Sequence, residues 1–335
     1  MTDPVRRLTP VVRIAPAKLN LTLAMGGRRP DGFHALHSVM VPLALADRLS
    51  LAVAGGPRDS LHVDGNPDLP VEGNFVLGAI ELARAAVAVV RRVPVERATD
   101  AAPILAARLE KRIPVAAGLA GGSSDAAAAL DGAFEAWGAE VAAGARRLLA
   151  AQLGSDVPFF LARGPALVEG RGERVTPLPP PRGNQPAVLL VTPARPVSTA
   201  DVFAAFAAGV RPASGGASRA ASEHLASELG RLSAQDLVAR AGVLASANDL
   251  IPATLAVYPA LVGFRRAVMR TLGRPVGQSG SGPTCWVIYP SIDDAEGAAA
   301  DLRRAVDEGR VPPVAARAPF IHATRLAEEP ERSEP

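Results

Sequence analysis

At 335 residues the chain is long enough for one large domain or two modest ones, with ample surface to bury a core. Hydrophobic residues make up 48% and charged residues 21%, an ordinary globular balance, and a net charge of +3 without a basic, aromatic-interleaved run argues against a nucleic-acid partner. The single cysteine, Cys285, excludes an internal disulfide framework, and no apolar run reaches membrane-spanning length, so a cytoplasmic protein with no membrane partner is expected.

Residues 1–10 read as a loose N-terminus. Val11 to Ile14 and Leu19 to Leu23 alternate as two strands joined at Ala15-Pro16-Ala17-Lys18. Lys18 and Asn20 are two apart, so on an extended segment they face one side. Lys18 either blunts a strand edge or points a charge into a cleft. Of the 36 basic residues only Lys18 and Lys111 are lysines, and a lysine kept where arginine prevails favours the cleft. Next comes a Pro-Asp-Gly turn, with Phe33 and His34 at its exit. Taken alone, His34 reads as a surface histidine. Strands follow at 36–43, 48–53 and near Leu61. Asn74 then caps an amphipathic helix over 76–91, with Phe75 beside it.

A strand over 104–113 feeds Pro114-Val115-Ala116-Ala117-Gly118-Leu119-Ala120-Gly121-Gly122-Ser123-Ser124-Asp125, and an alanine-rich helix continues to about Trp137. Such a strand, turn and helix start gather backbone N–H groups at the positive end of a helix dipole, a nest that binds phosphate. Gly118, Gly121 and Gly122 let the backbone turn and approach an anion. Ser123 and Ser124 are placed to cap the helix, to donate to phosphate oxygens, or to reach a metal that the phosphates carry. A glycine-rich turn with an N-cap is common enough that the glycines alone decide little. No lysine follows them and the G-x-G-x-x-G spacing is absent, which sets aside the two commonest phosphate motifs and a dehydrogenase with them.

A helix over 141–152 ends at Leu153-Gly154-Ser155-Asp156-Val157-Pro158. Asp156 is either an ordinary turn residue or an acid fixed between a glycine stop and a Val-Pro entry to an apolar strand. Strands at 166–169 and 174–177 complete a first domain, 11–178. The prolines at 179–181 mark a boundary, and a second domain spans 184–326. It holds a strand at 187–191, a short helix opened by Ser198 and Thr199 and containing Phe203, and helices to about Arg270. A second glycine-rich turn at 277–284 leads into a strand at 285–289, a helix over 295–306 and a strand over 319–324. The stretch 211–223, rich in Ala, Ser and Gly, is expected to be a mobile insertion, and the tail 327–335 to be disordered.

Three separated stretches fit one pattern. Pro16-Ala17-Lys18-Leu19-Asn20-Leu21, the loop at 114–125 and Gly280-Ser281-Gly282-Pro283-Thr284 resemble the motifs of the galactokinase, homoserine kinase, mevalonate kinase and phosphomevalonate kinase (GHMP) superfamily. Within it, Asp31-Gly32-Phe33-His34, the turn at 153–158 and Val197-Ser198-Thr199 are similar to the 4-diphosphocytidyl-2-C-methyl-D-erythritol kinase family, over about residues 12–325. The resemblance implies a two-domain α/β fold of the α+β type, with ATP and Mg2+ as cofactors. It also implies a small-molecule substrate bearing a cytidine diphosphate group, phosphorylated on the 2-hydroxyl of its methylerythritol unit. Carried onto this chain, Lys18 and Asp156 are the catalytic pair, and Pro114 to Ser124 hold ATP, with Asn74 and Phe75 on the adenine side. Asn20, Phe33, His34, Thr199 and Phe203 fall on the substrate side. Phe33 stands where the family usually has tyrosine, so the ring face is kept and the hydroxyl is lost. No acidic cluster marks a metal cage, and the metal ligands stay open. A kinase for mevalonate, homoserine or a sugar would have no use for Phe33 and His34 at its site. A catalytically silent nucleotide-binding relative would not need both Lys18 and Asp156.

Overall fold

The computed structural model describes residues 10–65, 70–212 and 216–327. The expected loose start up to residue 9 and the tail from 328 lie outside the described residues. In chain order the strands are β1 (Val11–Asn20), β2 (Ala24–Arg28), β3 (His34–Val53), β4 (Ser60–Asp64), β5 (Leu105–Glu110), β6 (Ala166–Gly170), β7 (Arg174–Pro177), β8 (Ala187–Thr192), β9 (Gly277–Gln278), β10 (Cys285–Tyr289) and β11 (Phe320–Arg325). The first helices are α1 (Phe75–Arg91), α2 (Ala98–Ala101), α3 (Gly121–Ala136), α4 (Ala143–Leu153) and α5 (Val157–Phe160). They are followed by α6 (Thr199–Ala207), α7 (Ala217–Glu228), α8 (Ala234–Ala239), α9 (Ala241–Ser246), α10 (Ile251–Val257), α11 (Ala260–Leu272) and α12 (Ile292–Asp307).

Three local expectations change. β1 runs unbroken through Pro16, whose fixed φ suits an extended chain. The strands expected at 36–43 and 48–53 are one twenty-residue strand, paired with β2 and β6 toward one end and with β5 toward the other. After Val157 the chain forms the short helix α5 instead of a strand, with a proline in the first turn, where its missing N–H costs nothing.

The contacts divide the chain into two units. One holds Ala17–Leu45, Pro114–Ala120 and the chain from Ala162 onward; the other holds the residues up to Pro16, Ala46–Ile113 and Gly121–Leu161. In the first, β8 is central to the antiparallel order β11-β8-β10-β9, with Val191 opposite both Cys285 and Ile321. All six residues of β8 are buried, as a strand covered on both faces must be. Phe264, Val268 and Leu302 from α11 and α12 close this core. The first half of β3 pairs with β2 and with β6, which in turn pairs with β7. Of the expected insertion, 213–215 lie outside the described residues, but from Ala217 the chain is the helix α7, which buries Ser218, Ser222 and Leu225. Its small residues give it a face that fits closely, so their abundance reflects packing. Among the described residues no helix is long and apolar enough to cross a membrane.

In the second unit β4 lies parallel to β5, and β5 runs antiparallel to the β3 segment from Arg48 to Val53. Helices α1 and α3 share the core of Leu49, Leu51, Ile80, Leu105 and Phe134. Ala126 to Ala129 and Ala133 on α3, with Ala79 and Ala83 on α1, are all buried. Alanine combines the best helix propensity with the smallest side chain, which lets two helices approach closely.

Under the start of α3 this unit buries three charged side chains. Lys111 Nζ donates to Asp125 Oδ2 at 2.8 Å and also to Asp47 Oδ2. The other oxygen of Asp47 accepts from Arg112 N at 2.5 Å and Ile113 N at 2.9 Å. One ammonium therefore faces two carboxylates. Burial alone would lower the lysine, yet Asp125 and Asp47 outweigh it and raise its pKa. Burial pushes the Asp125 carboxyl up to about 7, with Asp47 adding to the rise and Lys111 opposing it. A carboxyl raised on folding holds a proton that the unfolded chain has already released. Stability from this group is thus complete below its ordinary value of 3.8 and is lost as the pH rises to about 7. Asp125→Asn, which leaves Lys111 paired with Asp47, should remove that downward contribution. Urea midpoints of the two proteins between about pH 4 and 7 should diverge as the pH falls, with the wild type gaining relative to the variant. Parallel profiles would show that Asp125 is ionised throughout.

Candidate active site

The first unit gathers several of the candidate residues around the end of β1. Lys18 is buried, and its ammonium donates to Asn20 Oδ1 at 2.5 Å and to Gly118 O at 2.9 Å. Its own backbone N–H donates to Leu119 O at 3.0 Å, so strand and loop are tied twice. The second glycine-rich turn joins them: Ser279 Oγ donates to Gly118 O at 2.9 Å, and Thr284 N donates to Ala117 O at 3.2 Å. Gly118 has φ +79, and a Cβ there would meet Ser279 O at 2.3 Å, so only glycine fits. Ala116 and Ala120 hold φ values of +52 and +53, a left-handed backbone that costs about 1–2 kcal/mol for each residue with a side chain. Strain held in place by surrounding structure clusters at ligand sites.

The substrate-side residues fall into three groups within this unit. His34 stacks edge-to-face on Phe206 at 5.3 Å and lies 6.5 Å from Phe203. Its Nδ1 is 3.3 Å from Gly26 O, a pure acceptor, so Nδ1 is the donor, and in the tautomer with the proton there Nε2 is the acceptor. Phe33 is 48% exposed and stands apart from that ring cluster, with the guanidinium of Arg171 5.4 Å from its centroid. Thr199, the first residue of α6, shares a hydrogen bond with Ser281 at 3.0 Å, which links it to the second glycine-rich turn.

The other unit carries further candidate residues of its own. Asn74 caps α1, its Oδ1 accepting from Val76 N at 3.0 Å, and this accounts for the residue structurally. Phe75 is exposed, and a Cβ on Gly122 would come within 3.2 Å of its ring, so the expected adenine-side residues adjoin the first turn of α3. A Cβ on Gly121 would lie 3.1 Å from Ile113 Cγ2 and 3.3 Å from Lys111 Nζ. Ser124 Oγ is buried and has no hydrogen-bond partner among the described residues. Asp156 sits at the N-terminal end of α5 but does not cap it, so its carboxylate is not consumed by its own helix. Among the described residues no group of three or more His, Cys, Asp or Glu could hold a metal ion.

Some residues of this arrangement carry no motif. Asn248 donates to both Gln278 O and Gly280 O at 2.9 Å and so shapes the second glycine-rich turn, yet a lone Asn between helices gives no signal. Lys111 was marked only by the scarcity of lysine.

The GHMP kinases N terminal domain matches residues 74–164. A 4-diphosphocytidyl-2-C-methyl-D-erythritol kinase from Pelotomaculum thermopropionicum is 38% identical over 296 residues, covering 88% of this chain and 94% of the relative. One from Rhizobium meliloti is 38% identical over 292 residues, covering 85% and 88%. A solved 4-(cytidine 5'-diphospho)-2C-methyl-D-erythritol kinase shares 31% identity at a TM-score of 0.63, covering 95% of this chain and 100% of that one. Streptococcus pneumoniae phosphomevalonate kinase, 12% identical with a TM-score of 0.64 and coverage of 95% and 99%, shares the fold alone. At such identity over most of both chains, this chain belongs to the 4-diphosphocytidyl-2-C-methyl-D-erythritol kinase family, a branch of the GHMP kinases.

Proposed function

We propose that the chain transfers the terminal phosphate of ATP to the 2-hydroxyl of 4-diphosphocytidyl-2-C-methyl-D-erythritol, a step of the non-mevalonate route to isoprenoid precursors. The observation that carries this reading is the buried Lys18 ammonium, held on both Asn20 and the strained glycine-rich loop. Phosphoryl transfer needs an aligned alcohol, a cradle for the phosphates and positive charge beside the transferring group. The backbone N–H groups of Val115 to Ser124, following Pro114, would supply the cradle, with Asn74 and Phe75 toward the adenine. Lys18 would lie against the developing charge. Asp156 would accept or orient the proton of the attacking hydroxyl, an assistance of about 10²–10⁴-fold. Mg2+ would arrive with ATP and neutralise phosphate charge; the unpartnered hydroxyl of Ser124 fits such an ion.

Asn20, Thr199, Phe33, His34 and Phe203 would receive the substrate. The hydrogen-bond direction at His34 bears on the base. With Nδ1 donating to Gly26 O, Nε2 is an acceptor, which suits the exocyclic amine of cytosine and not the oxygen at that position in uracil. A panel of the cytidine diphosphate substrate, mevalonate, homoserine and galactose with labelled ATP tests the reaction. Transfer to the first alone is expected, and preferential transfer to any other would replace this reading.

Lys18→Arg should lose about 10²–10³ in kcat with an unchanged fold by circular dichroism, because a planar guanidinium cannot occupy the place of a compact ammonium between Asn20 and Gly118. Near-normal turnover would leave Lys18 as a simple charge. Phe33→Ala should weaken cytidine and uridine forms of the substrate alike, by about 1–3 kcal/mol of lost stacking. His34→Ala should instead narrow the ratio of their kcat/KM values, and Phe33→Tyr should be tolerated. A cytosine preference that survives His34→Ala would move base selection elsewhere.

A further inference from the structure

From Lys18 and Asn20 the first unit buries a run of polar side chains, of which Thr22, His37, Ser38 and Ser222 have no role in the proposed reaction. Lys18, Asn20, Thr22, His37, Ser38 and Ser222 are each at most 3% exposed. The run passes through both the backbone carbonyl and the side-chain hydroxyl of Thr22, and the direction of each hydrogen bond can be assigned. An ammonium only donates, so the Asn20 atom facing Lys18 is the carbonyl Oδ1, and the Nδ2 amide must turn to Ser38 Oγ at 2.8 Å. Ser38, having accepted, gives its own proton to Thr22 O at 2.5 Å. The Thr22 hydroxyl accepts from Val39 N at 3.1 Å and gives its proton to Ser222 Oγ at 2.9 Å. Ser222 then donates to His37 Nδ1 at 2.9 Å, a far better distance than the 3.5 Å to His37 O. The His37 proton is thereby assigned to Nε2, which faces Glu169 Oε1 at 4.0 Å.

We infer that Ser222 on α7, acting through Thr22 and Ser38, is a positioning residue that fixes the amide of Asn20 in the one orientation able to receive Lys18. The inference rests on the reading of Lys18 as a catalytic group. It assigns a role to the segment that its composition marked only as an insertion. A flipped Asn20 amide would set N–H against ammonium and would withdraw the donor from Ser38, whose place is held by Thr22 O on a residue that its hydroxyl ties to Ser222. Burial, with Arg219 nearby, holds His37 below the usual histidine range, against the pull of Glu169 and Glu223. The ring therefore stays neutral and able to accept. Because the run ends on Asn20 and Lys18, its loss should act on the chemical step and leave ATP binding alone.

The test compares Ser222→Ala, Thr22→Val, the double variant and Lys18→Ala, by kcat, by KM for ATP and by thermal denaturation. Both single variants should lose about tenfold in kcat, since displacements of about 1 Å at a reacting group cost up to two orders of magnitude. KM for ATP should stay within about twofold of wild type. The double variant should lose no more than the worse single one, as members of one coupled run do. Wild-type kcat in folded Ser222→Ala, with Lys18→Ala inactive, overturns the inference and leaves the proposed function standing. Turnover retained by Lys18→Ala overturns both. If Ser222→Ala does not fold, Thr22→Val, which keeps the side-chain volume, decides by the same readings.

Discussion

The carbonyl oxygen of Gly118 accepts from Lys18 Nζ and from Ser279 Oγ, each at 2.9 Å. A carbonyl has two lone pairs, and here both go to residues from opposite ends of the chain. This one atom brings the lysine of β1, the glycine-rich loop and the second glycine-rich turn into a single arrangement. Inside a protein such bonds are stronger than in water, and leaving one unmade is correspondingly costly. The left-handed alanines at 116 and 120 need that support. A loop free to relax would not keep two side-chain-bearing residues at φ +52 and +53. The loop's shape is therefore a consequence of what grips it at Ala117, Gly118 and Leu119, and less of its own sequence.

The same closeness explains why arginine stops short of two positions. A Cβ on Gly280 would lie 3.3 Å from Lys18 Nζ, and one on Gly121 would lie 3.3 Å from Lys111 Nζ. Each ammonium is thus roofed by a glycine, and neither place has room for a planar guanidinium with its five donors. The surroundings otherwise differ. Lys111 sits between two carboxylates, and the surplus negative charge is relieved by a proton on Asp125 near neutrality. Buried ion pairs add little net stability, so what this cluster offers is a fixed position for the first turn of α3.

Features set by neighbours in sequence were legible in advance. The cap at Asn74, the helix that follows it, the strand feeding the loop and the Pro-Asp-Gly turn all depend on local chemistry, and each forms where its residues indicate. The pairing of Lys18 with Asn20 follows from strand periodicity alone. What depends on distant partners was not legible. The length of β3 is set by β2 and β6 at one end and β5 at the other, which override the apparent gap at 44–47. Ser222 lies in a stretch whose composition suggests looseness, and its burial against Thr22 and His37 needs α7 to be in place first.

The glycines of the loop call for a different weighting than their motif suggests. Gly118 is required by Ser279 O, Gly121 by Ile113 and Lys111, and Gly122 by the ring of Phe75. All three are accounted for by the protein's own atoms, so their presence does not by itself argue for a bound anion. The sharper pointers are features that cost the protein stability by themselves. Two alanines are held in a conformation that a side chain disfavours, and the Ser124 hydroxyl is buried near a helix N-terminus with no hydrogen-bond partner among the described residues. Folding stability would favour neither. Backbone N–H groups turned inward, and a hydroxyl left open, are each what a phosphate oxygen calls for.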